Sequence, residues 1–553
     1  MTIANPPVKA PESTTPLLSF AAEGGAKRHN SVFSSENPAI GISGYVLACL
    51  LCVLVALING KPLQVVYGDS WIFTDLAKRI FFTHSLRMDM VFDLIYPPLY
   101  PALISPAYFF KGQAAIFNAI LALNILAFSS AFFPIYFLFR DHARLDRTQA
   151  WCGALLSVIS LWPLHYVVYI ASEPLYYPLA AWFAWLLLDG AYLRGKAELA
   201  VFAAVFAALP LTKALGNIIF PAFILFSAAI YYFAARPRPL KLITRPLLAV
   251  LMSAFIVYLY KRYQYSVLPQ GLDASGGYLS YLNDPLLLKP AYWVERTRLN
   301  LSWLFRGTKT AALPIFLAVF AWNWKLIYRD PIVIFTALVF AGTLTVIPLF
   351  TPADHISWEY PRYCIPFAFL FVVLLFKYRS LLTGRDLLVA AGLLSAGIFI
   401  GLPPTFMQEP VRWQVGAYYC LYFGCLLYWR KVFVNAFLVL LCAANLFFVW
   451  DARTRPSEAH GSLVSFYDQY GVTEKLLELR RTYPAAAVFV DRSWRNQDLE
   501  TWIEYERNMI NMPLLPSFVD VDGLKAGKKG PGAPALLLTH RPVKAGKKAA
   551  QGK

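Results

Sequence analysis

Charge is what this chain has least of. Asp, Glu, Lys and Arg together make up 15% of its 553 residues, against about a quarter in an ordinary soluble domain. With 58% hydrophobic residues and a mean hydropathy of +0.51, the shortage excludes a soluble multidomain enzyme and a disordered chain. Phosphate-cradling glycine loops are missing as well. Neither G-x-x-x-x-G-K-[ST] nor G-x-G-x-x-G occurs, which argues against a nucleotide-driven pump. Cysteines number only seven, and Cys49, Cys52, Cys152, Cys420, Cys425 and Cys442 lie inside apolar runs, so no disulfide framework is legible. Cys49 and Cys52 have C-x-x-C spacing, but within an apolar span that reads as packing rather than metal or redox chemistry.

What the chain has in abundance is long apolar segments. A bilayer core needs about 20 helical residues. On that measure spans fall near 43–59, 113–139, 151–168, 174–193, 197–211, 214–234, 247–262, 311–328, 331–350, 363–378, 386–402, 415–429 and 432–450. The expectation is a polytopic α-helical membrane protein with about 13 transmembrane helices. Residues 1–40 are rich in Pro, Ser, Thr and Ala without periodicity and read as a disordered tail. The net charge of +18 sorts by location. With the N-terminus in the cytoplasm, about sixteen Lys and Arg fall in short inner loops, among them Arg140, Arg144, Arg194, Arg238, Arg329 and Lys377, against about three in short outer loops. The basicity is therefore membrane topology, and no nucleic-acid partner is implied.

That topology puts three stretches on the outer side: the loops 60–112 and 262–310, and everything after 450. Residues 451–553 return to soluble-like composition, with strand-like runs at 485–491 and 535–541, and read as a small α/β domain ending in a basic tail. Asp520-Val521-Asp522 matches the D-x-D of soluble glycosyltransferases, but such a tripeptide is common by chance and reads as a solvated loop.

The first outer loop carries the densest information. Asp69 stands directly before a segment with Ile72, Phe73, Leu76 and Ile80 on one face and Asp75, Lys78 and Arg79 on another, the pattern of an amphipathic helix in the membrane interface. Taken alone, Asp69 reads as a helix N-cap or as a catalytic carboxylate. Tyr96-Pro97-Pro98-Leu99-Tyr100-Pro101 follows and forces an extended bend at the return to the membrane.

Gly68-Asp69 before an interfacial helix, with this proline-rich return after it, resembles the first outer loop of the GT-C membrane glycosyltransferases. These include glycosyltransferase family 39 and the aminoarabinose-transferase-like enzymes. Ser172-Glu173-Pro174-Leu175 looks like the family's S-E element, Thr212-Lys213 like its T-K element, and Pro361-Arg362-Tyr363 with Pro366 like its late R-Y-x-x-P. The ordered set covers most of 43–450. Many family 39 members carry Asp-Glu in the first loop, whereas Asp69 is followed by Ser70, a departure from the protein O-mannosyltransferase pattern.

The resemblance implies a GT-C fold over residues 41–450 and a polyprenyl-phosphate sugar donor. It also implies an acceptor outside the bacterial inner membrane: lipopolysaccharide or lipid A, another envelope glycan, or a protein. A polyprenyl-phosphate sugar already carries a good leaving group. Transfer then needs one base for the acceptor hydroxyl and cations for the departing phosphate, whereas a glycosidase would need two matched carboxylates. Asp69, as a carboxylate of reference pKa about 3.9, suits the base role. Lys213 and Arg362 suit the phosphate, and an unpaired cation in their apolar surroundings is costly. Glu173, in the middle of an apolar hairpin with Pro174 breaking the helix after it, suits a polar cavity. Tyr363, His355, Asp93 and Tyr96 complete the candidate substrate-binding set. Asp89, Asp93, His165, His355 and Glu359 could offer metal ligands, but no tight His/Asp pattern calls for one, and no cofactor is required. Two other classes compete: a transporter or lipid-linked sugar flippase, weakened by the absence of visible repeats, and a ligase using lipid diphosphate donors.

Overall fold

A computed structural model describes residues 38–59, 70–86, 97–110, 113–159, 166–168, 170–234, 238–267, 289–294, 323–350, 356–378, 381, 487–491, 518–519 and 535–538. The spans expected near 386–402, 415–429 and 432–450, most of the one near 311–328, and the N-terminal tail lie outside the described residues.

Within them the chain is helical where the apolar runs foretold it. In order come α1 (Pro38–Asn59), α2 (Ser70–Thr83), the short α3 (Leu99–Ile104) with a 3-10 turn (Ser105–Phe109), α4 (Gln113–Ser129) and α5 (Phe132–Phe137) with a π turn (Leu138–His142). Then follow α6 (Arg147–Val158), α7 (Glu173–Leu188), α8 (Lys196–Thr212), a 3-10 turn (Ala214–Ile218), α9 (Ile219–Phe233), α10 (Lys241–Val267), α11 (Pro331–Phe350) and α12 (Ile356–Lys377). Three helical stretches among the described residues, Ala115–His142, Ala214–Phe233 and Lys241–Tyr263, are long and apolar enough to cross a bilayer, and Gly41–Leu57, Pro331–Thr343 and Pro366–Lys377 are shorter apolar helices. The outward face of α10 carries Leu247, Leu251, Phe255 and Tyr258, three or four residues apart, a stripe suited to hydrocarbon rather than water. The chain is a multi-pass α-helical membrane protein.

Two helix boundaries differ from expectation. The span expected over 151–168 ends as a helix at Val158, shortly before Trp162-Pro163, where proline restricts its predecessor. Pro174 does not break a helix after Glu173. It sits in the first turn of α7, where its missing N–H has no intrahelical partner to lose.

Aromatic rings form the centre of the bundle. Phe183 of α7 meets Phe202 and Phe206 of α8 at ring-centroid distances of 5.3 and 5.1 Å, Phe223 of α9 at 6.5 Å and Phe335 of α11 at 6.0 Å. Such pairs contribute about 0.5–1.5 kcal/mol each beyond area burial. On the other side of α7, Tyr177 stacks on Phe128 of α4, lies edge-on to Phe369 of α12, and donates its hydroxyl to Ser157 O of α6 at 3.0 Å. Gly44 lets α1 approach closely, since a Cβ there would stand 2.0 Å from the Phe132 ring.

The C-terminal segment contains a three-stranded parallel sheet, β1 (Ala487–Asp491), β2 (Phe518–Val519) and β3 (Ala535–Leu538), in the order β2-β1-β3. Val488 pairs with Leu536, and Val490 with both Leu538 and Phe518. β1 and β3 lie inside the strand-like runs read from sequence. Parallel pairing requires crossover connections, as an α/β unit has.

One end of the bundle is held by charge. Asp330 caps α11, accepting from Ile332 N at 3.0 Å. Its carboxylate also takes Lys377 Nζ from the end of α12 at 2.6 Å and the Tyr378 hydroxyl. A carboxylate at one helix start and an ammonium at another helix end also suit the two dipoles. Replacing Asp330 by Leu should strand Lys377 and lower stability by about 3–5 kcal/mol. A thermal melt of the detergent-purified protein reads this, with the Asp330→Leu/Lys377→Leu double variant expected to recover most of the loss.

Candidate active site

At the opposite end of the bundle, Glu173 and Lys213 form a buried ion pair. Lys213 Nζ lies 2.5 Å from Glu173 Oε1, with the side chains 10% and 4% exposed. The partners are 40 residues apart, one opening α7 and the other closing α8. Two charges in so apolar a setting are sustained by each other, since the desolvation of either alone costs several kcal/mol.

The backbone presents Lys213 rigidly. It occupies a single extended position, φ −151° and ψ 133°, between the end of α8 and the 3-10 turn. Pro210 inside the last turn of α8 cannot donate to the helix ladder. Thr212 Oγ1 donates back to Ala208 O at 2.7 Å, Lys213 N to Leu209 O at 3.0 Å, and Gly216 N to Lys213 O at 2.8 Å. The turn folds so closely on α8 that a Cβ at Gly216 would stand 2.4 Å from Leu209 C and Pro210 N. Glycine there is a requirement of close approach.

The proline-rich segment after α2 reaches the same place. Tyr100 of α3 is fully buried. Its hydroxyl donates to Asn124 Oδ1 of α4 at 3.2 Å, and Asn124 Nδ2 donates to Val167 O at 3.3 Å. The Ala171 backbone also reaches the Tyr100 hydroxyl, and Tyr100 and Tyr176 both lie within electrostatic reach of Glu173. α3 packs against α8 as well. Three sequence elements that looked separate, the proline-rich run at Pro97 to Pro101, Ser172-Glu173 and Thr212-Lys213, thus meet around one charged pair.

Helix α2 anchors this corner. Phe73 lies edge-on to Tyr100 at 5.2 Å, and Tyr108 donates to Thr74 O at 3.0 Å. Lys78 and Arg79, expected on a solvated face, are instead 3% and 6% exposed. The helix is covered on more than its apolar stripe, and α3 and the 3-10 turn Ser105–Phe109 pack against it.

Arg362 and Tyr363 fall within α12, and their side chains lie outside the described residues. α12 runs parallel to α7: Phe369 meets Tyr177 near one end, while Phe376 meets Phe139 and Trp185 meets Phe137 near the other. The α12 backbone at Arg362 therefore lies toward the end where α7 begins. Asp69, Asp89, Asp93, Tyr96, His165 and His355, and the side chain of Glu359, lie outside the described residues. Among those described, no three His, Cys, Asp or Glu residues cluster as metal ligands would. Sequence reasoning passed over Asn124, although a lone amide in an apolar span is itself a signal of internal pairing.

No protein-family model matches the chain, and no curated protein matches it. Solved structures similar to it include ArnT from Cupriavidus metallidurans bound to undecaprenyl phosphate, with 11% identity, a TM-score of 0.49 and 86% of each chain covered. They also include the Archaeoglobus fulgidus oligosaccharyltransferase. In complex with Zn and sulfate it has 14% identity and a TM-score of 0.40, over 85% of this chain and 61% of that one. Tethered with an acceptor peptide it has 13% identity and a TM-score of 0.43, over 87% and 64%. At these values the likeness is one of overall chain course and assigns no residue a role.

Gly216→Ala should push the 3-10 turn off α8 and displace Lys213. A loss of about 1–3 kcal/mol, the usual range for forced overpacking, is expected in a thermal melt, whereas Asn217→Ala in the same turn should leave the melt within about 1 kcal/mol of wild type.

Proposed function

We propose that the protein is a GT-C membrane glycosyltransferase that moves a sugar from a polyprenyl-phosphate donor to a hydroxyl-bearing acceptor. The reaction is placed on the outer face of the bacterial inner membrane. The observation that carries this reading is the convergence of the first-loop return, the S-E element and the T-K element on the buried Glu173–Lys213 pair. A transferase that grips a lipid phosphate at the membrane surface needs a cation held rigidly in a water-poor site, and the extended break after α8 holds Lys213 in that way.

In this mechanism Asp69 accepts the proton of the acceptor hydroxyl. The freed oxygen attacks the sugar's anomeric carbon, the bond from that carbon to the phosphate oxygen breaks with its electron pair left on phosphate, and the anomeric configuration inverts. Lys213 and Arg362 neutralise the departing lipid phosphate, the arginine as a planar fork and the lysine as a point charge. The leaving group is already good, so neither a strong general acid nor a cofactor is asked for. Candidate acceptors are lipopolysaccharide or lipid A, another envelope glycan, and protein. Tyr96, Asp93, Tyr363 and His355 are assigned to the walls of the substrate cavity. The excess of Lys and Arg in alternate short loops supports a cytoplasmic N-terminus and a periplasmic C-terminal α/β domain over 451–553.

Reconstitution in liposomes with labelled polyprenyl-phosphate sugars tests the reading. Wild type should release lipid monophosphate, and Asp69→Asn should slow turnover by about 10²–10⁴-fold, the usual worth of a general base, without altering the melt. Full activity of Asp69→Asn would remove that residue as base, and counterflow of labelled substrate with no chemical turnover would replace the enzyme by a transporter.

A further inference from the structure

Lys213 already holds an anion. Its ammonium is bound to the Glu173 carboxylate, and any phosphate that takes Lys213 must contend with that carboxylate. We propose that Glu173 is an exchangeable counter-ion, which competes with the lipid phosphate for Lys213 and so hastens discharge of the phosphorylated lipid product. The inference rests on the donor assigned above.

The Lys213 backbone is held by Pro210, by Gly216 and by three backbone or hydroxyl hydrogen bonds around the break. Glu173 stands in the first turn of its helix, after the turn residues 170–172, and Ser172 makes no side-chain cap. In the exchange the Glu173 side chain swings away while the Lys213 backbone keeps its place. Tyr100 and Tyr176, which already lie within electrostatic reach of Glu173, are the hydroxyl-bearing side chains best placed to receive the displaced carboxyl group.

Chemistry gives the competition a direction. The donor is a phosphodiester with one negative charge, whereas the product is a phosphomonoester with about −1.5 to −2 charge at neutral pH. Lys213 alone would hold the product more tightly than the donor, and release would limit turnover. A carboxylate 2.5 Å away competes with both lipids, lowers the affinity for each by the same factor and so lets the product leave faster. If the pair is closed about nine-tenths of the time, the apparent affinity for phosphate falls about tenfold. Glu173 then sets a threshold that anionic lipids cross and neutral ones do not.

Farnesyl phosphate, a short polyprenyl phosphate, serves as the probe. Its equilibrium binding is compared for wild type, Glu173→Gln, Lys213→Met and the double variant, all purified in detergent. Glu173→Gln should bind about tenfold tighter than wild type and show stronger product inhibition with a lower kcat. Both Lys213→Met forms should bind more weakly. Binding by Glu173→Gln equal to or weaker than wild type overturns the competition. A second measurement needs no variant. A hydrophobic carbodiimide adds to protonated carboxyl groups in apolar surroundings, so adding farnesyl phosphate to wild type should raise labelling at Glu173, read by peptide mass, while farnesol should not. Unchanged or reduced labelling also overturns the exchange. Inorganic phosphate as effective as farnesyl phosphate would make a free anion the occupant and overturn the lipid assignment. Absence of farnesyl phosphate binding to wild type and every variant would overturn the donor reading together with this inference.

Discussion

The candidate site is organised around two buried charges that join two helix ends. Glu173 and Lys213 lie among apolar helices, where burial of a lone charge is costly. That constraint ties the first turn of α7 to the last turn of α8 and explains the otherwise costly backbone around them. Pro174 is harmless at a helix start, Pro210 lies in the last turn of its helix, and Gly216 lets the following turn close. Together they put both charges at helix ends, where backbone irregularity is tolerated.

The opposite end of the bundle shows what a structural ion pair looks like in the same protein. Asp330 is saturated by its own helix N-terminus, Lys377 and Tyr378, so its carboxylate is fully used in holding α11 to α12. Between the two pairs stands the aromatic core around Phe183 and Tyr177. Close-packed rings do not slide past one another in small steps. The register of α7 against α8, α11 and α12 is thereby set, and with it the distance between charges at the helix ends.

Local signals in the sequence carried most of the helices. Apolar runs near 43–59, 197–211, 331–350 and 363–378 each coincide with a described helix, and two strand-like runs in the C-terminal segment became β1 and β3. Glu173 and Lys213 were also legible as costly charges, but their partnership was not. Forty residues and two helices separate them, and no periodicity encodes which helix ends meet. Lys213 was read as a cation awaiting a phosphate, and in the structure a carboxylate already holds it. For the same reason the amphipathic reading of α2 failed at Lys78 and Arg79: helical periodicity tells which residues share a face, and tertiary packing decides which faces are covered. Asn124 was passed over because one amide does not disturb a hydropathy average, although its bonds to Tyr100 and Val167 O join three segments.

Stability alone does not account for the Glu173–Lys213 pair. Replacing a buried ion pair by well-packed hydrophobic residues is often neutral or stabilising by about 1–4 kcal/mol, and the neighbouring core shows that this chain packs rings readily. A Leu and a Phe at these positions would serve the bundle as well. What they would not supply is an ammonium at a helix end, with a carboxylate beside it and two phenols in reach. Two buried charges are brought together at the point where three separate sequence elements meet. In a bilayer, where each such group is expensive, that concentration is better explained by chemistry on an anionic substrate than by the needs of folding.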